Sequence, residues 1–166
     1  LAASRCDAVL FLEDGLADLI AAVVARGMPY LVVHPIYGKY ESCIDIDDAH
    51  GIRAAVAALA ERGVRRVHNL RYPGRFLHEQ VKQEAYTAGL AAAGLDGGGT
   101  ATVIPVYDVP AALDVMGTVV NSLEPGDALF LMHPALLELA EPLLRRRGLE
   151  PDRDVILMLD EFDAVL

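Results

Sequence analysis

Basic residues are scarce in this chain: 14 Lys and Arg stand against 24 Asp and Glu, for a formal charge of −10. Holding phosphates takes a basic face, so the deficit excludes a grip on nucleic acid or an anionic membrane by bulk electrostatics. Long apolar runs are missing too. The longest candidates, VILML and ALFLM, are strand-sized, well short of a membrane span. There are only two cysteines, Cys6 and Cys43, and they form no CxxC or Cys/His cluster, which predicts free, buried thiols in a reducing compartment. Catalytic signatures are absent as well. Ser4, Ser42 and Ser122 stand in no G-x-S-x-G elbow, and no GxxxxGK[ST] loop accompanies the strand that ends in Asp160 and Glu161. His34, His50, His68, His78 and His133 show neither HxxxH nor HExxH spacing. No metal or cofactor is expected.

Hydrophobic residues make up 54% of the 166, enough for a folded chain with one large core or two smaller lobes. The pattern is clearest in residues 43–70. Ile52, Val56 and Leu59 recur at helical spacing, while Arg53, Glu61 and Arg62 fall on the opposite face. Asp47 and Asp48 supply a cap and negative charge at the start of this helix, and Gly63 stops it before VRRVHNL resumes as a strand. The stretch therefore reads as strand, helix and parallel strand in one right-handed unit.

Around it the same alternation repeats. DAVLFLE is a buried strand, Asp14 and Gly15 signal a helix start, and Gly27 closes that helix ahead of the strand YLVVHP. HPIYGKYES, at 34–42, breaks the pattern with Pro35 and Gly38 and reads as a crossover between two lobes. Beyond Leu70, Pro73 and Gly74 mark a loop at the carboxyl end of a strand, where doubly wound sheets place ligands. A helix follows from about Leu77 to Ala93, then the flexible surface turn DGGG at 96–99, and then the strand TVIPVYD, in which Pro105 points to an edge or bulge position. Asp108 and Pro110 start the next helix, ALFLM is a strand, and His133-Pro134 opens a further helix that Pro142 should kink and Gly148 ends. DVILMLD completes seven strands and five helices, the signature of a three-layer, doubly wound parallel α/β fold. Residues 1–42 are expected to form the end of a first lobe, left incomplete with two strands and one helix, and 43–166 a second. LAASRC carries no secretory or lipoprotein signal, and the chain is expected to be a piece of a longer protein.

The order and spacing of these segments resemble the effector-binding core of the lactose repressor/galactose repressor (LacI/GalR) family. The matching residues are DAVLFLE and GMPYLVVHP, IDDAHG with Leu59 and ERGVRRV, and KQEAYTAGLAAAGL. RRRGLEPDRDVILMLDEFD follows the family's G-L-x-x-P-x-D-V-S-V-V-G-F-D-D tail in length, with Pro151 displaced by one position. The resemblance covers essentially the whole chain.

It implies a periplasmic-binding-protein-like sensor in the cytoplasm, working as a homodimer. A small polar effector, a sugar or related metabolite, would enter the cleft between lobes, and operator DNA would be read by a helix-turn-helix outside this chain. Lys82 takes the place of the family's effector-contacting Arg, and Asp160 matches its acidic residue after the last strand. Val109 stands where an aromatic ring is common, with Tyr107 as a substitute, and His133-Pro134 replaces Asn-Asp. His34 falls at the lobe crossing. With Arg75 and His78 at one helix start and Asp108 at another strand end, these residues make up the expected ligand ring. Leu136, Leu137, Leu139, Leu143 and Leu144 exceed one helix stripe, and Leu137 and Leu144 are assigned to a dimer surface. Arg145, Arg146 and Arg147 read as a solvated helix end. Two alternatives share the fold: an exported sugar-binding protein, and an enzyme using Asp160 and His133 as an acid/base pair.

Overall fold

The Ile52, Val56 and Leu59 stripe is buried in the computed structural model, which describes residues 6–12, 14–73, 77–95, 98–105 and 107–160. The stripe lies on helix α2 (Asp48–Glu61), which Asp47 caps by accepting the His50 N–H at 2.9 Å. Gly63, at φ 76°, turns the chain out of the helix through the left-handed region that favours glycine.

Strands and helices alternate as the sequence predicts, with seven strands and five helices among the described residues. Ahead of α2 come β1 (Val9–Phe11), α1 (Ala17–Ala25), β2 (Tyr30–Val33) and β3 (Cys43–Ile44). After it come β4 (Val67–Arg71), α3 (Leu77–Ala93), β5 (Ala101–Val103), α4 (Val109–Ser122), β6 (Asp127–Leu131), α5 (Ala135–Arg147) and β7 (Val155–Leu159). They build two all-parallel sheets, β1–β2–β3 and β5–β4–β6–β7.

Alternate strand residues serve opposite layers of the second sheet. Val67, Ala128 and Phe130 join α2 and the Ala85, Tyr86 and Leu90 stripe of α3. Leu70, Leu129 and Leu131 face the other way, toward Met116 and Val120 of α4 and Leu136, Ala140 and Leu144 of α5. Coverage on both faces explains why these strands read as continuous apolar runs rather than alternating ones. Each large aliphatic side chain so buried contributes roughly 1.5–3 kcal/mol. Tyr86 packs its ring here and donates its hydroxyl to the Val67 carbonyl at 2.9 Å, so its polar tip is satisfied despite burial.

Several expectations need correction. Residues 43–70 are not one strand–helix–strand unit, because β3 pairs with β2 at Val32↔Cys43 and Val33↔Ile44 and so belongs to the first sheet. The apolar face of α2 is buried against the second sheet, and the two-residue β3 ends the first, which has three strands rather than two. Cys6 and Cys43 are both free, but Cys43 is exposed. Residues 98–99 are no mere surface turn, since a Cβ on Gly99 would overlap the Val67 carbonyl of β4. Arg147 is exposed, as expected of a helix end, but it is more than a solvated charge: its guanidinium donates to the carbonyls of Val120, Asn121 and Leu123 at 2.7, 2.6 and 3.2 Å, closing the carboxyl end of α4. Leu144 is wholly buried in this chain's own core, whereas Leu137 is half-buried and keeps surface to offer.

Candidate functional site: a cleft at the carboxyl ends of two sheets

From β4 the chain runs out to the β5 edge and then returns past β4 to β6 and β7. At that reversal the connections leaving β4 and β6 part, and a crevice opens beyond their carboxyl ends. Tyr72 follows β4 and His133 lies two residues beyond β6; their ring centroids are 4.9 Å apart at 49°. From the first sheet, His34 follows β2 directly, at φ 51°, and its ring centroid lies 6.1 Å from that of His78 at the start of α3. A cavity of about 370 Å³ lies among them, lined by His34, Tyr37, Tyr72, His78, Glu79 and His133. The Ile36 carbonyl accepts the Leu77 N–H at 3.0 Å, which ties the crossover to the first turn of α3.

Hydrogen bonds assign the proton on two of these imidazoles. His133 Nδ1 accepts the Ala135 N–H at 3.2 Å, so the neutral ring carries its proton on Nε2 and offers a donor. His34 Nδ1 faces Asp45 Oδ1 at 3.2 Å; a carboxylate only accepts, so a proton sits on Nδ1, and in the neutral ring Nε2 is left as an acceptor. The cleft thus presents one imidazole donor and one imidazole acceptor beside a tyrosine ring. Hydroxyl groups, which both donate and accept, suit such a set.

Of the residues expected to meet a ligand, His34, His78 and His133 line this cavity. Lys82 and Asp160 are also brought together, though as partners of each other. Lys82 is 2% exposed, and its Nζ lies 2.6 Å from Asp160 Oδ2 and 4.0 Å from Asp48 Oδ1. Burial pushes the Asp48 carboxyl up against the pull of Lys82, and the neighbouring Asp160 charge pushes the same way as burial. Tyr107, 95% exposed, and Asp108 do not line the cleft cavity. Asp108 instead caps α4 by accepting the Ala111 N–H at 3.0 Å. Arg75 lies outside the described residues. Among the described residues no hydrogen bond joins His133 to Asp160, the arrangement an acid/base pair would use.

Sequence reading missed Tyr37, Tyr72, Glu79 and Asp14. The available signal for Tyr72 was its place immediately after a strand and before Pro73. Asp14, taken as a helix start, does not cap α1, whose N-cap is Leu16 with no side-chain bond. Its carboxylate, 1% exposed, accepts the N–H groups of Ile36, Tyr37 and Gly38 at 2.8, 2.7 and 2.8 Å and so shapes the wall of the cleft. Burial alone would raise the Asp14 carboxyl, but these three donors hold it below its ordinary value.

No protein-family model matches the sequence, and no curated protein matches it. Solved structures do. A sugar-binding transcriptional regulator of the LacI family from Escherichia coli, complexed with phosphate, is 17% identical with a TM-score of 0.72, over 97% of this chain and 58% of that one. A LacI transcriptional regulator from a Rhodococcus species is 22% identical with a TM-score of 0.71, over 95% and 58%. A periplasmic binding protein/LacI transcriptional regulator from Alkaliphilus metalliredigens QYMF, complexed with D-xylulofuranose, is 18% identical with a TM-score of 0.59, over 92% and 56%. The fold is therefore that of the periplasmic-binding-protein-like, effector-binding core of LacI-family regulators. The chain spans a little over half the length of these structures.

Proposed function

We propose that this chain is the effector-sensing core of a cytoplasmic, non-enzymatic bacterial transcription regulator of LacI type. A small polyhydroxylated molecule, a sugar or close relative, binds between a first lobe ending at β3 and a second beginning at α2. The observation that carries this reading is the cleft itself, where His34 from one sheet and Tyr72 and His133 from the other line one cavity with complementary hydrogen-bonding senses. A ligand that touches both lobes favours the closed arrangement by its difference in affinity for the two states, which is all that a ligand-driven switch requires. A solved structure of this fold complexed with D-xylulofuranose supports the choice of ligand class. The outer face of α5, with Leu137 on it, serves a homodimer, and operator DNA is read by a domain outside this chain.

A thermal-shift screen against sugars, polyols, nucleosides and small carboxylates tests the proposal, because a ligand that binds only the folded state raises the melting temperature by mass action. At a hundredfold excess over Kd the gain is about 2.7 kcal/mol. The expected result is a rise with one polyhydroxylated class, lost in Tyr72→Ala. A folded protein that responds to none of them would overturn the ligand assignment.

A further inference from the structure

Beside the cleft, and sharing Pro73 and Glu79 with it, a second cavity of about 520 Å³ opens along α3, at the edge of the sheet marked by Val103. Arg71, the last residue of β4, and Glu79, in the first turn of α3, both line it, along with Gln80, Gln83 and Glu84. Two buried polar atoms there have no partner among the described residues, Arg71 Nε and Glu79 Oε2, although Arg71 Nη1 donates to the Tyr72 carbonyl at 3.4 Å. Glu79 is about nine-tenths buried, and only its other oxygen has a neighbour, His78 Nε2 at 3.4 Å. Behind them Asn69, wholly buried, leaves Oδ1 unpartnered while its Nδ2 reaches Gln83 Oε1 at 3.5 Å. Buried polar atoms in native proteins are almost always paired, so orphaned atoms on two residues that line one cavity mark a place where something else completes them.

The two charges are of opposite sign, yet among the described residues no ion pair joins them. A lone anion here would meet Arg71 but be repelled by Glu79 and Glu84, and a lone cation would meet Glu79 but be repelled by Arg71. A molecule carrying both charges satisfies both walls. We infer that this side pocket is a binding site for an amino-acid-type zwitterion, with its carboxylate on the Arg71 guanidinium, its ammonium on the Glu79 carboxylate and its side chain among the Gln80 and Gln83 amides. The fork of Arg71 suits a carboxylate, and charge-assisted hydrogen bonds at both ends give the site its selectivity. The site adjoins the polyol cleft through Glu79 but takes a ligand of different chemistry, so the two assignments are tested by different probes.

The test is a thermal-shift panel of the twenty amino acids on the wild-type protein, followed by calorimetric titration of the best responder and of propionate and propylamine. The expected result is saturable binding of at least one amino acid, with both singly charged probes at least tenfold weaker. Glu79→Gln, which changes charge but not shape, and Arg71→Gln should each weaken the amino acid at least tenfold with the thermal transition retained, and Arg71→Lys should restore part of the loss. No response from a folded wild type, propionate binding as tightly as the amino acid, or unchanged affinity in both charge-removing variants would each overturn the assignment. The sugar and polyol screen is read separately, so failure here leaves the cleft proposal untouched.

Discussion

His68 is buried between Thr100 and Asp127, with Nδ1 3.1 Å from the Thr100 hydroxyl and Nε2 3.8 Å from Asp127 Oδ2. That carboxylate is committed elsewhere: Arg66 donates to it twice, at 3.0 and 2.6 Å, and the Glu124 N–H once, at 2.7 Å. Burial pushes the His68 imidazole below its ordinary value of 6.5, Asp127 draws it back up and Arg66 pushes it down again. The unfolded chain then binds a proton that the fold refuses, so this stability is present above about pH 6.5 and is lost as pH falls below it. For Asp127, burial raises the carboxyl but Arg66 and the Glu124 N–H hold it below 3.8, so its contribution disappears only in stronger acid. Urea unfolding is therefore expected to show lower stability at pH 5.5 than at pH 7.5, with a smaller difference in His68→Gln; equal slopes in the two proteins would contradict this account. Part of the candidate site was legible at this scale. His34 and His133 stand next to prolines at strand ends, and strand ends in this fold face the cleft. Lys82 and Asp160 were both read as ligand contacts, whereas they face each other at 2.6 Å, because sequence does not reveal which distant charges neutralise each other. Tyr72 and Glu79 carry no motif, and their roles emerge only from the walls they share.

The helices and strands were legible because their ends carry chemical signals. Asp47 and Asp108 precede apolar stripes, and each accepts an N–H three residues on. Because Asp108 was also a ligand candidate, its substitution separates the two roles. Asp108→Ala is expected to cost about 0.5–2 kcal/mol in denaturant unfolding, whereas Asp108→Asn, which keeps an accepting oxygen, should be nearly neutral. A neutral alanine variant would remove the capping role. What the elements do to one another was less legible. β3 is two residues long, and nothing in Cys43-Ile44 says whether its partner lies before or after it. Arg147 sits in a run of three arginines, and only the packing of α5 beside α4 shows that its guanidinium is spent on the carbonyls at the end of α4.

The three-layer arrangement of the second sheet followed from strict alternation and from apolar runs that only a sheet covered on both faces tolerates. The first sheet differs. α1 covers one side through Ile20 and Val23, while Leu10, Leu12 and Ile44 remain exposed. Among the described residues no helix is long and apolar enough to cross a membrane. How the two sheets face each other was not legible, because it depends on the crossover between β2 and α2. There Asp14 gathers three loop amides, and the Ile36 carbonyl holds the start of α3. The cleft that results is the centre of this account, and its central claim is that one ligand is held from both sheets at once. Calorimetric titration of the polyol that best stabilises the wild type, repeated on His34→Ala and His133→Ala, tests that claim most directly. Both variants are expected to lose at least tenfold in affinity, about 1.4 kcal/mol each. Loss in only one of them, or in neither, would show that the ligand rests on a single sheet and would contradict a sensor worked by closure of the cleft.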